Sequence, residues 1–218
     1  MNIVIAGGHG QIALRLARLL SARGDAVLSL IRNPEQVEDV RDTGAGPVIA
    51  DLEALAPGDL VDQLTGAHAV VFAAGAGPGS GAARKDSVDR GASALLAEAA
   101  ERAGVRRFVQ ISTMGAGRPP APGGDDVWAA YVNAKNAAED DLRDRDLDWV
   151  IVRPGGLTND PGTGRVTLAP PPVGHGAVTR DDVAAVIAAL LAEPKVDRAT
   201  LELVNGDVPI PEAISALI

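Results

Sequence analysis

Short β-branched apolar runs alternate along this chain with alanine- and leucine-rich helical stretches, and few folds accommodate that order. Strands are expected at residues 3–6, 26–31, 47–50, 69–73, 107–112 and 149–152, with helices at 11–23, 34–42, 59–64, 85–103 and 127–145. The strand segments are almost continuously apolar rather than alternating, as required when helices cover both faces of a sheet. The pattern predicts an α/β fold with a doubly wound, mainly parallel sheet. Gly24 and Gly104 each follow a helical stretch, where a left-handed cap is needed. Asn33-Pro34 with Gln36 reads as an N-cap, a first-turn proline and a capping-box partner. Thr179 with Asp182 repeats the start signal ahead of a helix at 183–191.

Composition removes several function classes. A net charge of -9 lacks the basic excess that a phosphate-backbone surface requires, and two Trp, one Tyr and two Phe cannot build a base-stacking platform. Nucleic acid is therefore not an expected partner. The absence of cysteine excludes disulfides, thiol catalysis and cysteine-ligated metal. His9, His68 and His175 fall in separate segments, so no metal site is expected. The chain runs from Met1 and Asn2 directly into an apolar strand, without a leader pattern, and no apolar run reaches the roughly 18 residues of a membrane span. Cytoplasm is the expected compartment, and the oligomeric state stays open.

The first apolar run ends in Gly7-Gly8-His9-Gly10 and opens into a helix. A strand, a Gly-x-x-Gly turn and a helix N-terminus together direct backbone N–H groups at one point, where a pyrophosphate binds. Ala13 stands where a third glycine is often found, still small enough for helix to pack on strand. A tight βα turn without a ligand is the alternative. The second strand ends in Ile31-Arg32-Asn33, with no carboxylate to bond the ribose 2′-hydroxyl of NAD. Arg32 would pair instead with the 2′-phosphate of NADP, which favours NADP over NAD; an ordinary solvated arginine is the other reading.

Tyr131 and Lys135 are four residues apart on an expected helix and so share a face. An ammonium beside a phenol favours the phenolate and eases proton exchange with a carbonyl or alcohol. Ser112 and Thr113 end the preceding strand and would bring a hydroxyl to the carboxyl edge of the sheet. A surface Tyr/Lys pair is the bland reading, but Tyr131 is the only tyrosine in the chain. Loops at 75–81, 115–126 and 156–176 are rich in Gly and Pro, with small and mostly uncharged side chains, and read as irregular lids or connectors around a compact substrate.

Gly7 to Ile12, Leu30 to Pro34, Phe72 to Gly75, Val109 to Thr113, Tyr131 with Lys135, and Val152 to Gly155 occur in the order seen in short-chain dehydrogenases/reductases. The chain resembles their atypical branch of NAD(P)-binding, NAD-dependent epimerase/dehydratase-like proteins over its whole length. The resemblance implies one NAD(P)-binding Rossmann domain over residues 1–218, in which 154–218 form a small substrate-side appendage. It implies that Gly7, Gly10, Gln11 and Ile12 line the pyrophosphate turn and that Arg32 meets the adenosine ribose phosphate. Asp51 would face the adenine, Ala73, Ala74 and Gly75 would pack on the adenosine side, and Pro154 and Gly155 would border the nicotinamide. Thr113, or Ser112, would orient the reacting oxygen for Tyr131, while Lys135 would support Tyr131 and clamp the cofactor. Taken alone, Asp51 reads as a solvated turn residue and Arg153 as a structural ion-pair partner.

Two departures from the family pattern bear on function. Relatives acting on nucleotide sugars carry a much larger carboxyl-terminal region than the residues that follow Pro154 here. No asparagine falls on the helix before Thr113, where many members place a proton-relay residue. The expected activity is an NADP-dependent oxidoreductase acting on a small, mostly apolar carbonyl compound. The alternatives are a non-catalytic NAD(P)-binding redox sensor or scaffold and an epimerase/dehydratase-like enzyme.

Overall fold

The computed structural model describes residues 1–77, 80–118 and 126–218. Residues 78–79 and 119–125, which belong to the loops expected at 75–81 and 115–126, lie outside the described residues. The strands are β1 (Asn2–Ala6), β2 (Ala26–Ile31), β3 (Gly46–Ile49), β4 (Ala69–Phe72), β5 (Arg107–Ile111), β6 (Met114–Gly117), β7 (Asp148–Pro154), β8 (Gly156–Thr158), β9 (Arg165–Ala169), β10 (Ala177–Thr179), β11 (Ala199–Asn205) and β12 (Val208–Pro209). The helices are α1 (Gln11–Ala22), α2 (Val37–Arg41), α3 (Pro57–Leu64), α4 (Ala82–Arg84), α5 (Ala92–Ala103), α6 (Asp126–Arg143), α7 (Arg180–Ala192) and α8 (Ile210–Ser215). Lys85–Gly91 form a π-helical stretch that joins α4 to α5.

Among the described residues the main sheet has nine strands in the order β12-β9-β11-β7-β5-β4-β1-β2-β3. Every pair from β3 to β11 is parallel, while β9 runs antiparallel to β11 and to β12. The expected mainly parallel, doubly wound sheet is present. Its central strands are buried on both faces: all residues of β4 and β5 are buried, and β4 reads as an unbroken apolar run. Each edge strand carries a proline, Pro47 in β3 and Pro209 in β12.

Two apolar layers sandwich the sheet. On one side Ala13, Leu16, Ala17 and Leu20 of α1 meet Val183, Val186, Ile187 and Leu190 of α7 over Ile3, Ile5, Val109 and Val150. On the other, Leu60 and Leu64 of α3 and Leu96 and Ala100 of α5 cover Val4, Val70, Phe72 and Phe108. The 13/16/17/20 spacing puts the buried residues of α1 on one stripe, and each leucine buried there contributes about 1.5–3 kcal/mol.

Local punctuation follows the chemistry of its residues. Gly104 is left-handed at φ 74° and ends α5, and Gly24, at φ 91°, follows α1. Asn33 does cap a helical turn, but its side chain accepts from the N–H of Glu35, and Gln36 makes no reciprocal bond. The helix expected at 34–42 is a 3₁₀ turn at Pro34–Gln36 followed by α2. Thr179 caps α7 by accepting from the N–H of Asp182 at 3.0 Å.

The stretch expected to be an irregular loop at 156–176 contains β8 and β9. Buried Asp182 holds it: its carboxylate accepts from the N–H groups of Thr163 and Gly164 at 2.9 and 2.8 Å and from the hydroxyl of Thr179 at 3.0 Å. Replacement by alanine leaves these donors without an acceptor. Asp182→Ala should lower unfolding stability by about 3 kcal/mol, read as a lower urea midpoint at unchanged slope.

Candidate active site

The direction of winding reverses between β1 and β4, since β2 lies on one side of β1 and β4 on the other. In open α/β sheets the ligand crevice forms at such a point. Here a cleft of about 320 Å³ opens there, lined by Gly7, Gly10, Arg32, Asp51, Ala73, Ala74 and Gly75 among others. These expected residues come together. Gly7 has φ 77°, and a Cβ on it would lie 2.6 Å from the Cα of Ala74, so only glycine fits both the turn and the approach. The first helical bond of α1 runs from the N–H of Leu14 to the carbonyl of Gly10, which leaves the N–H groups of Gln11, Ile12 and Ala13 without intrahelical partners. No side chain caps this end, and no acidic residue lies in the first turn. This unshielded helix terminus beside a turn stripped of side chains fits a pyrophosphate.

Other expected residues stand apart from the cleft. The side chain of Gln11 is exposed and that of Ile12 packs against the core, so these two offer backbone rather than side chains. Pro154 closes β7 against Leu203. A Cβ on Gly155 would lie 2.2 Å from the carbonyl oxygen of Gly176, which gives this glycine a packing reason of its own.

At the other end of the cleft Arg32 and Arg84 both reach one oxygen of Glu53, at 3.2 and 3.0 Å, and Ser87 donates to the second oxygen at 2.6 Å. The Ser87 and Arg84 hydrogen bonds hold the Glu53 carboxyl below its ordinary range. Arg84 and Glu53 escaped sequence reasoning because no local pattern marks them. Glu53 lies in the turn after β3 and Arg84 lies before the π-helical stretch, and only the fold joins them.

Tyr131 is half-buried on α6, with Lys85 and Lys135 both near its ring. The two ammonium nitrogens lie 4.9 and 5.8 Å from its ring centroid. Lys135 is buried: its ammonium lies 3.0 Å from Asp89 Oδ1, an ion-pair contact outside hydrogen-bond alignment, and donates to the carbonyl of Ile111 at 3.3 Å. The other Asp89 oxygen accepts from the N–H of Ala76 at 3.2 Å. Asp89 thereby ties Lys135 to the loop after β4. It stands on the helix before Thr113, where no relay asparagine was found. The signal was available, since Lys85 and Asp89 repeat the four-residue spacing of Tyr131 and Lys135, but such a pair on a helix usually marks a solvated face.

The two candidate hydroxyls differ in their commitments. Ser112 is buried and donates to Glu139 at 2.5 Å, and Glu139 is also held by the guanidinium groups of Arg153 and Arg143. Arg153 is the structural ion-pair partner its sequence context suggests. Thr113 is half-buried, and its hydroxyl makes only a 3.4 Å contact with the neighbouring carbonyl of Met114. Among the described residues no cluster of His, Asp or Glu could hold a metal ion, and no helix is long and apolar enough to cross a membrane.

Residues 7–194 match a family model described as NAD(P)H-binding. A Bacillus subtilis protein named as an uncharacterized sugar epimerase, YhfK, is 34% identical over 218 residues, covering 100% of both chains. A structure described as a putative NAD-dependent epimerase/dehydratase from Bacillus halodurans is 34% identical, with a TM-score of 0.91 over 99% of each chain. The oxidoreductase ylbE from Lactococcus lactis is 28% identical, with a TM-score of 0.86 over 100% of this chain and 96% of its own.

The close approach of the first turn to β4 is open to test. Gly7→Ala meets both an unfavourable left-handed backbone and a clash with the main chain at Ala74. It should weaken NAD(P)H binding by more than about tenfold, measured by nicotinamide fluorescence, and lower the melting temperature.

Proposed function

The chain belongs to the NAD(P)H-binding family, and on that premise we propose an NADP-dependent reductase of the short-chain dehydrogenase type acting on a small, mostly apolar carbonyl compound. The observation that carries this reading is the chain's one tyrosine with two lysine ammonium groups 4.9 and 5.8 Å from its ring centroid, in a fold whose β1–β4 crevice is shaped for a dinucleotide. When bound, the reduced nicotinamide supplies a hydride to the carbonyl carbon.

The chain's own groups account for the remainder. Tyr131 gives its hydroxyl proton to the carbonyl oxygen as the alcohol forms, and Thr113 orients that oxygen with a hydrogen bond. Ser112 does not compete, because its proton is bound to Glu139. Lys135, fixed by Asp89 and Ile111, holds the nicotinamide ribose and supports Tyr131. The N–H groups of Gln11 and Ile12 take the pyrophosphate with the Gly7/Gly10 turn. Asp51 and the Ala73–Gly75 segment flank the adenosine, and Pro154 and Gly155 lead into the substrate-side residues 154–218. Arg32 and Arg84 favour NADP: two guanidinium groups converge on one carboxylate oxygen, as they would on a 2′-phosphate. The epimerase names of two relatives support a second reading, in which the cofactor is regenerated in each turnover. Net conversion of NADPH to NADP⁺ separates the two.

The first experiment is titration with NADPH and NADH, followed by addition of small aldehydes, ketones and quinones. NADPH-selective binding with stoichiometric oxidation by a panel member is expected; binding without oxidation overturns the reductase. Tyr131→Phe should cut turnover by about a thousandfold and leave NADPH affinity nearly unchanged, as a lost proton donor requires. Arg32→Ala and Arg84→Ala should each weaken NADPH by roughly tenfold with little effect on NADH, and equal losses for both cofactors contradict the phosphate assignment.

A further inference from the structure

Lys85 is 8% exposed and forms no ion pair or hydrogen bond among the described residues. The carboxylates nearest in sequence are already engaged, Asp86 with Arg90 and Asp89 with Lys135, and Glu53, which holds the adjacent Arg84, is taken by Arg84 and Arg32. The two lysines beside Tyr131 therefore differ in kind. Asp89 neutralises Lys135, whereas among the described residues the charge of Lys85 is met only by the face of the Tyr131 ring, and a ring face attracts a cation far less than a carboxylate does. A buried cation without a counter-ion is costly, and a protein that keeps one next to its reacting groups has a use for it.

Resting on the reductase reading and deepening it, we propose that Lys85 is the recognition group for an anionic substituent, so that the substrate is a small carbonyl compound bearing one carboxylate within a few bonds of its carbonyl. The carboxylate completes the pair that Lys85 lacks, and the carbonyl oxygen then falls beside Tyr131 and Thr113. Lys85 acts in binding and orientation, and Tyr131 remains the proton donor.

The test uses the NADPH-loaded protein with 2-oxobutanoate and phenylglyoxylate as probes, each beside its methyl ester, with binding read from nicotinamide fluorescence. The wild type should bind at least one acid more than about tenfold tighter than its ester. Lys85→Met, which keeps most of the aliphatic stem and removes the charge, should erase that preference while NADPH affinity stays within about twofold. Without ligands, Lys85→Met should melt a few degrees above the wild type, because an unpaired buried charge has been removed. Tyr131→Phe should retain the preference for acid over ester, and a wild type that shows the preference without oxidising NADPH leaves this inference standing even where the reductase reading fails. Equal binding of acid and ester by the wild type, binding of none of the acids, retained preference in Lys85→Met, loss of NADPH binding in that variant, or a lowered melting temperature would each overturn it.

Discussion

Gly7 packs without a side chain against the backbone at Ala74, and the geometry of the cleft follows from that contact. It lets β1 and β4 end side by side while their connections leave in opposite directions. The N-terminus of α1 is thereby aimed across the carboxyl edge of the sheet, and the loop after β4 is brought near enough for Asp89 to hold Ala76. A methyl group at residue 7 would push these apart, and the dinucleotide end and the tyrosine end would lose their common frame.

Beyond the cleft, α6 carries Tyr131, Lys135, Glu139 and Arg143 at intervals of four, a single stripe down one side of the helix. Each member meets a different partner: Lys85 lies over the Tyr131 ring, Asp89 beside Lys135, Ser112 and Arg153 on Glu139, and Thr200 on Arg143. Lys85 and Asp89 form a facing pair on the π-helical stretch, whose wider turn coincides with this contact. Charged groups removed from water need partners with good geometry, and each charged member of this stripe has one, whereas Lys85 facing it has only the Tyr131 ring among the described residues.

How much could be read in advance depended on how local each signal was. β1, β4 and the middle of β7 were legible because burial on both faces makes them continuously apolar, and the Gly7/Gly10 turn because strand, glycine and helix are contiguous. β9, β11 and β12 were not foreseen. β11 alternates Leu201 and Leu203 with Glu202, a buried acid that accepts from the N–H of Val173, so its polarity reflects a distant partner rather than solvent. Ser112 and Thr113 look interchangeable in sequence; the carboxylate of Glu139, on another element, distinguishes them. Arg84, Glu53 and Asp89 were missed for the same reason, since their significance arises from contacts between segments.

Pro47 and Pro209 lie in the two outermost strands of the sheet. Proline is tolerated in a strand only where its missing N–H points away from a neighbour, so each edge is an end by construction, offering an approaching chain a ring in place of a donor. The width of the sheet is closed from both sides. Strand addition at either edge, a common route from folded β-structure to aggregates, meets a position with no backbone donor.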